Sequence, residues 1–223
     1  MLNVSNQIED NHVCSNVPLL AKKDKTLIHM QKKETGIFSG SFNPLHAGHL
    51  ILANYLCEYT SLDEVWFVVT PHNPLKKAGM LLDDTLRLEM VRLALEDYDR
   101  MIVSDVEFHM PRPSYTIDTL TRLSDAHPDR NFTLIIGGDN WARFDQWKEY
   151  QQLMKRYPIL VYPRMGEEVV IPPQQRETIQ LVHAPVVEIS STFIRSGIRA
   201  GKDLRAFLPA KVYDLIKKKG LYL

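Results

Sequence analysis

The sequence predicts an α/β fold: an open parallel sheet covered by helices on both faces. Three observations lead there. Strand and helix signals alternate along the chain, the pattern that β-α-β units produce. Two strand candidates, Val65-Trp-Phe-Val-Val69 and Phe132-Thr-Leu-Ile-Ile136, are continuously apolar and rich in β-branched and aromatic residues, as strands buried on both faces are. Glycine- or proline-bearing loops stand directly after the strand candidates, at Gly40-Ser41, Pro71, Gly137-Gly138 and Pro163.

Taken in order, the first strand, Ile37-Phe38, breaks at Gly40-Ser41. Pro44 biases the residue before it away from helical angles. An amphipathic run then opens near Gly48-His49 and keeps helical spacing through Leu50, Ala53 and Leu56-Cys57 to about Tyr59. After the Val65–Val69 strand, Pro71-His72-Asn73-Pro74-Leu75-Lys76-Lys77 reads as a loop stiffened by two prolines. Asp83-Asp84 can cap a second helix, with Leu86, Met90, Leu93 and Ala94 as its buried stripe and Arg87 one turn ahead of Met90-Val91. Met101-Ile102-Val103 is a short strand. Ser114 or Thr116 can cap a third helix, and the turn His127-Pro-Asp-Arg-Asn131 leads into the Phe132–Ile136 strand. Pro158-Ile-Leu-Val-Tyr162 is the next strand, residues 167–177 a polar loop, and Gln180-Leu-Val-His-Ala-Pro-Val-Val-Glu188 a last strand bent at Pro185. Ser190 or Ser191 caps a further helix, and Leu208-Pro209 starts a final one that buries Val212, Leu215 and Ile216.

Composition narrows the function. The 223 residues, 44% hydrophobic, suffice for one domain with a real core, expected over residues 35–223. Residues 1–34, rich in Asn, Lys, Asp and Glu, read as a poorly ordered extension, with Met30 a natural alternative start. Charge balances, 27 basic against 27 acidic, which argues against broad binding to a nucleic-acid backbone. The two cysteines, Cys14 and Cys57, form no metal spacing and no disulfide framework, as suits a reducing, cytoplasmic setting. No run approaches the roughly 18 apolar residues of a membrane span. Neither Gly-x-x-x-x-Gly-Lys-[Ser/Thr] nor Gly-x-Gly-x-x-Gly occurs, against a P-loop kinase and an ordinary dehydrogenase.

The chemistry gathers at two stretches. Gly36-Ile-Phe-Ser-Gly-Ser-Phe-Asn-Pro-Leu-His-Ala-Gly-His-Leu50 is strand, tight loop, helix. A loop feeding a helix N-terminus presents unpaired N–H groups and the positive end of a dipole, an anion site. His46 and His49, three residues apart, share one side of the first helical turn, facing whatever the loop holds. In Ile189-Ser-Ser-Thr-Phe-Ile-Arg195 the hydroxyls of Ser191 and Thr192, free amides and the Arg195 guanidinium are all donors, a sensible cradle for a triphosphate. Gly137-Gly138-Asp139-Asn140 follows a strand end, where open sheets bind ligands, so Asp139 can accept from ribose hydroxyls or cap a helix. Arg164 points from another strand end.

Together the Gly-x-Phe-x-Gly-x-Phe-x-Pro-x-His-x-Gly-His string and Ile-Ser-Ser-Thr-x-Ile-Arg resemble the nucleotidyltransferase superfamily, and within it the nicotinate-nucleotide adenylyltransferase family, from about Gly36 to Leu223. The resemblance implies a Rossmann-like fold and transfer of the adenylyl group of ATP to nicotinate mononucleotide, releasing pyrophosphate. The alternatives are nicotinamide mononucleotide or phosphopantetheine as acceptor, or a nucleotide sensor without turnover. It implies His46, His49 and Arg195 as catalytic residues. It implies Gly40, Ser41, Phe42, His49, Gly137, Asp139, Ser191, Thr192 and Arg195 around ATP. For the mononucleotide it implies Ser41, Phe42, Lys76, Thr116, Thr119, Arg164 and a pyridine-stacking Trp147, with Trp141 and Phe144 left to packing. Ser114-Tyr-Thr-Ile-Asp-Thr119 matches the family string whose last Thr lies near the pyridine. Mg²⁺ would arrive with ATP, without a dedicated protein metal site.

Overall fold

The computed structural model describes residues 32–71, 81–166 and 169–223. Its centre is a sheet of six parallel strands: β1 (Lys33–Gly40), β2 (Glu64–Val69), β3 (Met101–Ser104), β4 (Arg130–Gly137), β5 (Ile159–Tyr162) and β6 (Ile179–Leu181). They lie in the order β3-β2-β1-β4-β5-β6. In register, Ile37 stands beside Trp66 on one side and Leu134 on the other. The chain winds outward from β1 in one direction and, after crossing to β4, in the other. The crevice between the carboxyl ends of β1 and β4 is therefore the switch point at which open α/β sheets take their ligands.

Among the described residues seven helices cover the sheet: α1 (Ala47–Tyr59), α2 (Asp84–Leu95), α3 (Thr116–Ala126), α4 (Gly138–Trp141), α5 (Tyr150–Arg156), α6 (Ser191–Arg199) and α7 (Ala210–Lys219). Strand side chains alternate between faces, and two cores result. Phe38, Val65, Phe67 and Val69 pack with Leu56 of α1, Met90 of α2, Ile194 of α6 and Val212 of α7. Ile37, Trp66, Val68, Leu134 and Ile136 pack with Leu120 of α3 and Leu153 of α5. At the amino-terminal end of the sheet buried Glu64 accepts from Lys33, Thr35, Trp66 and Arg130, tying β1, β2 and β4 together far from the crevice.

Four expectations change. The extension expected over residues 1–34, with its alternative start at Met30, falls outside the described residues as far as residue 31. Lys33 and Glu34, however, already belong to β1, because Glu64 and Asn131 give their polar side chains partners. The strand expected over 180–188 is only Ile179–Leu181: Val182 donates the last ladder bond, to the Val161 carbonyl, and Pro185 has no N–H to continue it. The N-cap of α3 is Tyr115, not Ser114 or Thr116, since Ser114 spends its hydroxyl on Glu107. In α2, capped by Asp83 as expected, the stripe includes Arg87, which is fully buried, whereas Leu86 and Leu93 are half-buried. No helix among the described residues is long and apolar enough to cross a membrane.

Candidate active site

The loop from Ser41 to His46 is buried along its whole length. Phe42 takes a left-handed backbone angle, φ 42°, which an L residue adopts only when its surroundings compel it. The compulsion comes from its ring, packed 5.8 Å from Phe38, 5.5 Å from Phe67 and edge-on 5.2 Å from His49. Gly40 makes this possible: a Cβ there would stand 3.0 Å from the Phe42 ring.

Buried Arg87 fixes the loop from below. Its Nε donates to the Leu82 carbonyl, one terminal nitrogen to the Ser41 and Thr70 carbonyls, and the other to the Pro71 carbonyl and Asp84. The five donors of a guanidinium thus meet five acceptors. Asn43 is held from the far end of the chain: its side-chain oxygen accepts from the Tyr222 hydroxyl at 2.9 Å.

On this platform stand the two histidines. His46 is the N-cap of α1 and His49 lies in its first turn, the rings stacked with centroids 3.7 Å apart. The His46 amide donates to His49 Nδ1 at 3.2 Å, so in neutral His49 the proton sits on Nε2. Burial, helped by the positive charge of Arg164, brings the His46 pKa down to about 4. His46 is therefore neutral at pH 7, with a ring N–H rather than a cationic charge to offer. Its Nδ1 is buried without a partner, and Gly48 keeps space beside it, since a Cβ would come within 3.2 Å.

The start of α6 docks on the same loop. Ser190 caps the helix through the Phe193 amide, Ser191 donates to the Pro44 carbonyl at 2.9 Å, and Arg195 donates to the Asn43 carbonyl at 2.9 Å and to Thr192 Oγ1 at 3.2 Å. The amino ends of α1 and α6 thus converge with His46, His49, Ser191, Thr192 and Arg195 at one point, beside buried Ser41 and Phe42. Two helix dipoles and a guanidinium make that point strongly attractive to anions. A cavity of about 260 Å³ opens next to it, walled by His46, His49, Tyr162, Arg164, Ala184 and Ser190.

Gly137 caps short α4, and Asp139 projects from it toward Arg164 at the end of β5, with Nε and Oδ1 3.6 Å apart. Both atoms are buried and lack a hydrogen bond, although the Asp139 side chain as a whole is 43% exposed, so its other oxygen faces solvent. Arg164 also donates to the Tyr162 hydroxyl, whose ionisation burial pushes up.

The residues expected at the pyridine form a second group. Trp147 is half-buried, its ring 5.2 Å from that of buried Phe144, and Trp141 bonds the Val170 carbonyl. Thr116 opens α3. Thr119 is fully buried and gives its hydroxyl to Glu107, so it supports the helix start from within rather than lining an open surface. Glu107, unnoticed in the sequence, also takes the Ser114 hydroxyl; burial raises its carboxyl above the usual range, against the pull of Ser114, Thr119 and Thr70. Thr70 joins the two groups, because its carbonyl belongs to Arg87. Lys76 lies outside the described residues.

Comparison with known proteins fits this geometry. A cytidylyltransferase-like family model matches residues 37–197. The chain is 55% identical over 190 residues to a probable nicotinate-nucleotide adenylyltransferase of Bacteroides thetaiotaomicron, covering 84% of this chain and 92% of that protein. It is 46% identical over 188 residues to the corresponding protein of Flavobacterium johnsoniae, covering 84% and 97%. The chain belongs to the nicotinate-nucleotide adenylyltransferase family. Among solved structures, the nicotinic acid mononucleotide adenylyltransferase of Plasmodium falciparum complexed with NaAD superposes with a TM-score of 0.71 at 20% identity, covering 85% of this chain and 97% of that one. That likeness confirms the Rossmann-like fold. The family's two strings in this chain, after β1 and at the start of α6, are the segments that meet at the Asn43-Pro44 backbone.

Proposed function

We propose that this enzyme transfers the adenylyl group of ATP to nicotinate mononucleotide, giving deamido-NAD and pyrophosphate, a step of NAD biosynthesis. The observation that carries the reading is the convergence of two helix starts, His46, His49, Ser191, Thr192 and Arg195 on one buried loop at the switch point of the sheet, in a chain 55% identical to a protein of that name.

In this reading a phosphate oxygen of the mononucleotide attacks the α-phosphorus of ATP. The bond from that phosphorus to the bridging oxygen breaks, and pyrophosphate leaves with the electron pair. The attacking oxygen is already anionic, so the protein supplies alignment and charge stabilisation rather than a strong base. His49, through Nε2, and His46 donate to the triphosphate as charge grows on the leaving group. Arg195, Ser191 and Thr192 hold the β- and γ-phosphates, and Gly40, Ser41 and Phe42 line the inner wall. Gly137 lets the chain pass close to the nucleoside, and the outer oxygen of Asp139 takes ribose hydroxyls. Arg164 and Lys76 reach toward phosphate. Trp147 stacks on the pyridine, whose carboxylate meets the open amides at the start of α3, beginning at Thr116; Thr119 supports that turn from within.

A divalent cation such as Mg²⁺ suits the donor set in one way only. His46, His49, Ser191, Thr192 and Arg195 are N–H and O–H donors, which match phosphate oxygens rather than a cation, so the ion would come with the triphosphate. It would supply charge neutralisation there. The same proposal places the enzyme in the cytoplasm, where ATP is at hand. The test is pyrophosphate release with ATP and, in turn, nicotinate mononucleotide, nicotinamide mononucleotide and phosphopantetheine. Release at the highest kcat/KM with the nicotinate compound is expected; equal values for acid and amide would sink the choice of acceptor while leaving adenylyl transfer standing.

A further inference from the structure

The start of α3 carries a charge conflict that the structure resolves from another element. The first turn of an 11-residue helix favours anions. Asp118 also stands in that turn, its side chain 44% exposed. An unpaired carboxylate there opposes a second anion arriving at the same amides. Lys148 answers it: its Nζ lies 3.2 and 2.9 Å from the two Asp118 oxygens and 4.9 Å from the centroid of the Tyr115 ring, the helix N-cap. The other carboxylate near this turn, Glu107, is buried beneath it and occupied by Ser114 and Thr119. Glu149, next to Lys148, adds a further negative neighbour to the ammonium. Lys148 directly follows Trp147, so the segment that places the indole also delivers the ammonium.

We infer that Lys148 is a specificity-determining residue: by neutralising Asp118 at the start of α3 it lets the site prefer a pyridine carboxylate over a carboxamide. The inference rests on the adenylyl-transfer reading above and adds to it the source of the acid preference. A neutral carboxamide does not respond to the net charge at this turn, whereas a carboxylate does. Removing the lysine and removing the aspartate must therefore act in opposite directions on the acid-to-amide ratio. A mere tether between the Trp147 segment and α3 would behave differently, since losing either partner would loosen both substrates alike.

The experiment measures kcat/KM by pyrophosphate release for each mononucleotide with the wild-type enzyme, Lys148→Met, Asp118→Asn and the double variant. For charges this exposed the expected effect is modest. Lys148→Met lowers the acid-to-amide ratio about three- to fivefold, chiefly through KM for the acid, and the deficit shrinks at high salt. Asp118→Asn raises the ratio, and the double variant returns to within about twofold of wild type, the net charge being restored. An unchanged ratio in Lys148→Met, or equal losses for both substrates in both single variants, overturns the inference. Absence of pyrophosphate release from the wild type with either mononucleotide overturns the parent reading itself, an outcome distinct from both.

Discussion

The two halves of the candidate site are built in opposite ways. The phosphate half, at the β1 loop, is buried and cross-braced. Arg87 reaches it from α2, Ser191 and Arg195 from α6, and Tyr222 from beyond α7, all through hydrogen bonds of 2.7 to 2.9 Å. The ring half, between Trp147 and α3, is half-exposed and tied across its surface by one lysine. The difference suits the work proposed for each. Charge stabilisation requires donors fixed before the reaction begins, whereas recognition of a flat ring needs an aromatic face and a few well-aimed polar groups. Changes in the first half should fall on stability and kcat, and changes in the second on KM and selectivity.

The largest expected effect breaks the brace. Arg87→Met leaves five acceptors without their donor, and loss of one member of a buried charged network costs about 3–5 kcal/mol. Urea denaturation should show this, and Arg87→Lys should recover little of it, because an ammonium cannot reach five acceptors in a plane. An Arg87→Met protein as stable as wild type would refute the bracing role.

Next comes the donor pair. His49→Ala should lower kcat by about 100-fold or more while KM for ATP changes little, and thermal melting should stay close to wild type. Unchanged turnover would remove His49 from the mechanism.

His46 sharpens the comparison through pH. Its folded pKa, about 4, lies below the ordinary 6.5 because it is buried and faces Arg164. The unfolded chain therefore binds more protons than the folded one between those values. The neutral ring's contribution is fully present above pH 6.5 and is lost as pH falls toward 4. Between pH 7 and pH 5 the ligand-free protein should lose about 2 kcal/mol from this group. His46→Asn should flatten that limb of the stability profile; an equally steep limb in the variant would assign the loss to other groups.

The smallest effect belongs to the ring half. Trp147→Ala should raise KM for the mononucleotide about tenfold, from lost stacking worth about 1 kcal/mol or slightly more, with KM for ATP nearly constant. Equal increases in both constants would detach the indole from the pyridine.

What could be read from the sequence follows the range of the interactions. Strand runs such as Phe132-Thr-Leu-Ile-Ile136, the caps at Asp83 and Ser190, and the loop from Ser41 to His46 are local patterns, and the structure has them where the sequence puts them. Glu107, Lys148 and Tyr222 escaped notice, and Arg87 was placed beside Met90-Val91 without a role, because the partners that give them meaning come from other parts of the fold. One signal was available: Arg87 lies three and four residues before Met90 and Val91, so a charged side chain stood on the apolar face of α2 and required a buried partner. Over residues 182–188 β-branched residues suggested strand, but propensity counts only where a neighbouring strand offers a ladder.

The long reach of the brace on the β1 loop also has a consequence in time. The residues that bond to residues 41–44 stand 46, 147, 152 and 179 positions along the chain from their partners. Closing such large loops is entropically expensive and slow compared with forming a helix. A refolding chain will therefore regain its helical circular dichroism before the loop has its supports, and catalysis will return only with the last and most global step. Turnover recovered at the same rate as ellipticity would show the loop to be self-supporting. Otherwise enzymatic activity is a strict gauge of complete folding, silent in every partly assembled form.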